Sequence, residues 1–378
     1  MGIRGRLAAF YFCYFAFVGV FSTYFGLYLQ SQGLSAWHIG VLLSVMQSMR
    51  LVAPNLWGWL ADRLGRRAPA VRLSTLASVA ACAIFFSADS FAMLLLAMAL
   101  LAFFWSASLP LVEAITLGHL ERQPERYGRI RLWGSLGFIA AVISLGVLLD
   151  HVATTAVLWA ALLCLGGAAV ASLLLADPPP LPAAESATRL GEALRRPHVQ
   201  ALFAACFCMA FAHAPYYVFY SIFLAGEGYS KTLVGLLWAV GVVAEIGVFV
   251  WMPRLLRRHG ARRILLASFA AAALRFVAIG WGVGWPALIF AAQLLHGATF
   301  GAFHAAAVAT LNRWFGGRHQ ARVQALYGSV SFGAGGMAGG LLAAWVWDPF
   351  GAGTTFTLAA SAAVVGGWLI WRHVEPAV

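Results

Sequence analysis

Residues Phe91-Ala-Met-Leu-Leu-Leu-Ala-Met-Ala-Leu-Leu-Ala-Phe-Phe-Trp-Ser-Ala-Ser-Leu-Pro-Leu-Val-Glu113-Ala-Ile-Thr-Leu-Gly118 form an apolar run with one ionisable side chain, Glu113. The run exceeds the ~20 residues that cross a bilayer core. Shortly after it comes Tyr127-Gly-Arg-Ile-Arg131-Leu-Trp-Gly-Ser135, where Arg131 opens the next apolar run. A charged group carried into hydrocarbon by a helix costs ~2.5–3.5 kcal/mol on insertion scales. Such groups are kept where they pair or where they bind something. Glu113 and Arg131 therefore read as part of a solute site, with a static ion pair between two helices as the structural alternative. Arg131 offers a planar fork to a carboxylate, although its place near a helix start also lets it reach for the interface.

The whole chain agrees with a membrane reading. Apolar residues make up 62% and charged residues 10%, against about a quarter charged in soluble domains. The five cysteines, Cys13, Cys82, Cys164, Cys206 and Cys208, all lie in apolar runs, which implies neither a disulfide nor a metal site. The first run, from about Leu7 to Leu29, is too long and too aromatic for a signal peptide and is expected to stay in the mature protein.

Twelve segments are long and apolar enough to span: roughly 7–30, 37–61, 69–88, 91–118, 130–150, 153–176, 198–225, 231–255, 262–283, 286–312, 320–346 and 352–372. The predicted fold is an all-α membrane protein, with residues 1–176 and 198–378 as two six-helix halves. The proline-rich stretch 177–197 is the linker between them. Arginine sets the topology. The even loops carry Arg63, Arg66, Arg67, Arg122, Arg126, Arg129, Arg189, Arg195, Arg196, Arg257, Arg258, Arg262, Arg313 and Arg318. The odd loops carry Asp89, Asp150, Glu227, Asp348 and the only lysine, Lys231. Both termini are expected in the cytoplasm of a bacterial-type inner membrane. The net charge of +12 is spread over short loops, so it points to anionic lipid and not to nucleic acid.

A repeat runs through the chain. Gly33-Leu-Ser35 with Gly40 recurs as Gly228-Tyr-Ser230 with Gly235, and Gly65 recurs as Gly260; 33 to 228, 40 to 235 and 65 to 260 all differ by 195. Trp133-Gly-Ser135 recurs as Tyr327-Gly-Ser329. A parallel repeat of two halves is a transporter architecture. The same offset sets Arg50 in the second segment against Glu245 in the eighth.

Other polar residues stand deep in apolar segments. Arg50 is too deep to snorkel easily, and Pro54-Asn55 follows within a turn. Glu245 stands midway along its segment, where a carboxyl can hold and release a proton near neutral pH; a neutral packing acid is the alternative. His213, His296 and His304 suit a proton relay or a donor to solute, or simple packing. His296 and His304 are about two turns apart, ~12 Å of rise. Arg275 fits a supporting role. Tyr216 and Tyr217 follow Pro215, which can bend the helix, and could stack on a flat solute. No helical His/Glu pair suggests zinc, and no phosphate loop or nucleophile motif appears, so neither a cofactor nor an enzyme is expected.

Gly58-Trp-Leu-Ala-Asp62-Arg63-Leu-Gly65-Arg66-Arg67 resembles the signature loop of the major facilitator superfamily. Gly58 would permit close helix contact, Asp62 would accept from a helix N-terminus, and Arg63 and Arg66 would hold the cytoplasmic side. The second copy, Pro253 through Arg263, is degenerate, with Arg257 where Asp62 would be. Tyr127–Ser135, His213-Ala-Pro-Tyr-Tyr217, Leu237–Glu245 and Leu295–His304 resemble the phenylpropionate permease group of that superfamily, near the lactose/proton and nucleoside/proton symporters. By that resemblance Glu113 and Arg131 grip substrate, and Glu245, Arg275 and His296 match the polar residues of segments eight, nine and ten. Thr299 departs from the pattern, standing where lactose symporters carry a coupling acid. The resemblance implies a secondary active transporter that imports a small organic solute with protons. An aromatic acid such as phenylpropionate is the first expectation, a nucleoside or sugar the second, and export is a further one. A membrane-embedded sensor is the alternative of another class. The expected partners are small-molecule substrate, protons and the lipid bilayer, with the chain acting as a monomer. Substrate binding is expected at Arg50, Glu113, Arg131, His213, Tyr216, Tyr217 and His296, and proton coupling at Glu245, Arg275, His296 and His304.

Overall fold

The computed structural model describes residues 2–120, 126–178, 190–315 and 320–375. Arg122, Arg189, Arg318 and most of the expected linker lie outside them. Among the described residues, nine helices are long and apolar enough to cross a membrane. They are α1 (Ile3–Ser31), α2 (Ala36–Leu64), α4 (Phe91–His119), α5 (Tyr127–Leu149), α6 (Ala156–Leu173), α7 (Pro197–Gly226), α8 (Lys231–Trp281), α9 (Pro286–Trp314) and α10 (Arg322–His373). A shorter apolar helix, α3 (Ala68–Ile84), lies between α2 and α4. The two longest helices are kinked. Gly260 in α8 has φ 72° and Gly351 in α10 has φ 78°, a region open to glycine and closed to most residues. Where twelve separate spans were expected, the described residues hold nine helices of spanning length, two of them kinked at a glycine, and the shorter α3.

The repeated Gly-x-Ser has a structural meaning. Gly33 ends α1 with φ 78°, and Gly228 ends α7 with φ 87°. Two residues on, the Ser35 hydroxyl accepts from the His38 backbone N–H at 3.4 Å, and the Ser230 hydroxyl from the Leu233 N–H at 3.1 Å. Each pair is a left-handed stop followed by a serine N-cap.

The residues form two compact units, Met1–Pro182 with Gly228–Ala239, and Ala183–Glu227 with Val240–Val378. In the first, α1 packs on α5 and α6, and α4 packs on α2 and α3. Glycine allows the closest of these approaches: a Cβ on Gly137 would overlap the Phe12 carbonyl. Around Tyr24 three segments of this unit meet. The Tyr24 hydroxyl donates to Val142 O at 2.6 Å and to Lys231 O at 3.1 Å, and a Cβ on Gly146 or Gly235 would strike it. In the second unit α7 packs on α10, with Gly335 and Gly339 pressed against the backbone of Phe207 and Phe211. Large apolar side chains such as Leu163 (78% exposed) and Trp285 (75%) cover the outside, as in helices that face hydrocarbon.

Candidate functional site

In the first unit the ionisable residues gather around Tyr14 on α1. Its phenol lies in the electrostatic field of Arg50, Glu113 and Arg131 together. Glu113 accepts from the Tyr127 hydroxyl at 3.0 Å. No ion pair joins Glu113 to Arg131. The Arg131 guanidinium instead stands over the Phe15 ring, 3.7 Å from its centroid, and 5.9 Å from that of Tyr11. Gly134 makes the room, because a Cβ there would strike both the Phe15 ring and Arg131. The Tyr11 hydroxyl is 3.1 Å from Thr116 Oγ1. Arg50 stands over the Trp105 ring at 5.8 Å. Trp105 stacks on Tyr14 at 5.0 Å with 4° between the planes, and Tyr14 meets Phe15 edge-on at 5.2 Å. One aromatic chain therefore links the two guanidiniums. Cation–π contacts of this kind contribute ~0.5–2 kcal/mol each.

In the second unit Arg275 is wholly buried. Its Nε donates to Ala292 O at 3.0 Å, and its terminal nitrogens reach Thr299 Oγ1 and Gln293 Oε1 at 3.4 Å. Its guanidinium lies 4.3 Å from the Tyr216 ring centroid. Every acceptor is neutral. Gln293 closes the network by accepting from Tyr216 and donating to Tyr220. His213 Nδ1 faces Met209 O at 2.9 Å, and a carbonyl only accepts, so Nδ1 carries the proton; Nε2 meets Thr299 Oγ1 at 3.2 Å. His296 Nε2 is 4.0 Å from Glu245 Oε2, and the buried His296 Nδ1 has no hydrogen-bond partner. Gly241, Gly297 and Gly301 face His296, the Ala244 carbonyl and Glu245, and so bring α8 and α9 close enough for this contact. A widened π-type turn at Gly297–Ala302 offsets the drift of a regular helix. Phe300 is thereby stacked between His296 at 5.4 Å and His304 at 6.4 Å.

Several expected residues are placed differently. Tyr216 was expected to stack on a solute, yet it is 1% exposed and its ring is covered by Arg275, His296 and Tyr220. Tyr217 is half-buried beside it. His304 is joined to Tyr327 at 3.0 Å, with Phe300 between it and His296. In the signature loop, a Cβ on Gly58 would touch nothing, so the expected close helix contact is not made here. Asp62 is exposed. The carboxylate at the N-terminus of α3 belongs to Asp177, which accepts from Arg67 N at 2.7 Å and Ala68 N at 2.9 Å and lies 3.7 Å from Arg66. Gly65 ends α2 with φ 62°, and Arg63 lies over Trp59 at 4.2 Å. Sequence reasoning passed over Trp105 and Gln293. Gln293 was findable as a polar residue one turn before His296 in an apolar run.

The two clusters define the class. Buried cations and acids on spanning helices, in a helical frame with no strand among the described residues, are the marks of a solute carrier. The family model described as MFS_1 like family matches residues 5–358, and the chain belongs to that family of major facilitator transporters. It is 31% identical over 363 residues to a probable 3-phenylpropionic acid transporter of Escherichia coli (strain K12), covering 93% of each chain. It is 27% identical over 362 residues to a maltose permease of Geobacillus stearothermophilus, covering 94% of this chain and 91% of the other. The crystal structure of nucleoside transporter NupG superposes with a TM-score of 0.83 over 100% of both chains at 18% identity, a likeness of fold.

Proposed function

We propose that this transporter imports small aromatic carboxylates together with protons, by alternating access across a bacterial inner membrane. In this reading the chain has twelve spans in two six-helix halves, 1–176 and 198–378, with residues 177–197 and both termini in the cytoplasm. The observation that carries the substrate class is the seat of Arg131, whose guanidinium lies on the Phe15 ring and makes no ion pair with Glu113. Two guanidiniums, Arg50 and Arg131, rest on aromatic rings, and one carboxylate, Glu113, shares their surroundings. Guanidinium groups set in aromatic walls suit an anionic head on an aromatic body. The 31% identity to a probable 3-phenylpropionic acid transporter supports the same choice.

Arg131, freed from Glu113, supplies the fork for the carboxylate, and Glu113 orients Tyr127. The proton resides on the Glu245–His296 pair, with Arg275 fixing the electrostatics nearby and His213 held by Thr299. Thr299 replaces the acid of lactose symporters, which leaves Glu245 as the acid facing His296 in the second unit. A nucleoside or sugar is the second reading, favoured by the Glu113–Tyr127 pair, which can bind hydroxyls, and by the maltose permease relative.

A thermal-shift screen of the purified protein against aromatic acids, nucleosides and sugars tests the choice. Stabilisation by 3-phenylpropionate that disappears in Arg131→Ala supports it. A hit that binds Arg131→Ala and Glu113→Ala as it binds wild type makes both residues structural and removes the reading.

A further inference from the structure

Trp105 on α4 is 6% exposed, and its indole N–H has no hydrogen-bond partner. A buried donor left unsatisfied is costly, and such groups in native proteins usually have a partner that completes them. The surroundings identify that partner. The face of Trp105 is stacked on Tyr14, Phe17 lies 5.4 Å away, and the Arg50 guanidinium stands 5.8 Å from the ring centroid. One turn before Arg50 on α2, the Gln47 carbonyl is likewise buried and unpartnered. A fixed N–H donor beside a guanidinium, within an aromatic wall, is a recognition pair for a carboxylate. Trp57 offers a contrast. Its buried N–H is also unpartnered, but Phe103 and Phe104 neighbour its ring and no guanidinium stands over it among the described residues.

We infer that Trp105 is a specificity-determining residue of this transporter, its indole N–H donating to the carboxylate of the bound aromatic acid. The inference rests on the aromatic-carboxylate reading above and adds a residue and an atom to it. It makes Trp105 a discriminator of charge, because the N–H contact strengthens when the acceptor is ionised, while the ring contacts serve acid and neutral analogue alike. Tyr14 keeps the indole plane in place by parallel stacking.

The test exchanges Trp105 for 3-benzothienylalanine, which keeps the bicyclic shape and puts sulfur in place of the N–H. Trp105→Phe serves as the genetically encoded companion. Affinities for 3-phenylpropionate and for the neutral 3-phenylpropanol are measured on purified, folded protein. The expected result is a weakening of about ten- to hundredfold for the acid, the range of a hydrogen bond to a charged group, with the alcohol changed by no more than about twofold. Equal affinity of wild type and the sulfur variant for the acid overturns the assignment to Trp105 and leaves the substrate class standing. Should wild type bind no aromatic acid, the substrate reading and this inference fall together. The sulfur variant keeps the packing, so misfolding of Trp105→Phe does not block the test.

Discussion

The Arg131 guanidinium lies 3.7 Å from the Phe15 ring centroid and makes no ion pair with Glu113, its charge partner on the preceding helix. A salt bridge there would have locked α4 to α5. The aromatic seat instead keeps the guanidinium flat and its N–H edge available. Replacing Arg131 by Lys keeps the charge and loses the planar fork and the stacking. Arg131→Lys is therefore expected to weaken 3-phenylpropionate binding about tenfold or more, with the unliganded melting temperature lowered by no more than a few degrees for the lost stacking. Binding at wild-type strength would show that charge alone is read at this position.

Glu245 and His296 face each other at 4.0 Å across α8 and α9. With one acid in that contact, Glu245→Gln should leave exchange of solute down its own gradient intact and abolish accumulation driven by a pH gradient. Paired uptake and exchange assays in proteoliposomes read the difference. Unchanged pH-driven uptake moves the proton to His213, His296 or His304.

Gly137 and Gly58 form a contrasting pair for stability. A Cβ on Gly137 would overlap the Phe12 carbonyl, a backbone atom that cannot swing away, whereas one on Gly58 meets nothing. Gly137→Ala is expected to destabilise by ~1–3 kcal/mol through overpacking. Gly58→Ala should be neutral or stabilise by up to ~1 kcal/mol through helix propensity. Thermal unfolding in detergent compares them, and equal effects would mean that α1 and α5 are not in this contact in solution.

Asp150, at the end of α5, is held below the usual carboxylate range by hydrogen bonds from Thr232, its hydroxyl first and then its backbone N–H, and from the Lys231 N–H. A carboxylate with a lowered folded-state pKa stabilises at pH values above its unfolded value, about 3.9, and loses that contribution as pH falls through the lowered one. Asp150→Ala should thus melt below wild type at pH 7, with the gap closing as the pH drops below about 4. A gap of the same size at pH 7 and pH 3 would contradict the cap.

The helical frame is legible in the sequence because hydropathy and length suffice to mark spans, and because Gly33-x-Ser35 and Gly228-x-Ser230 each encode a stop and a start that need no distant partner. The seats of the charged groups are less legible. Phe15 is far from Arg131 in the chain, and only the packing of α1 on α5 brings the two together. Asp62 stood closer in sequence to the start of α3, yet the stretch that follows α6 delivers Asp177 there. Tyr216 sits beside a bend-prone proline, as read from sequence. That its face would be taken by Arg275 depended on α8, whose kink at Gly260 sequence spacing alone does not shape.

Uptake of 3-phenylpropionate by purified protein in liposomes, under an imposed inward proton gradient, tests the proposed activity most directly. Accumulation above the outside concentration, collapsing when a protonophore is added and absent in Arg131→Ala, is the expected result. Accumulation of a nucleoside or sugar with no flux of aromatic acids, or solute uptake indifferent to the gradient, would contradict it.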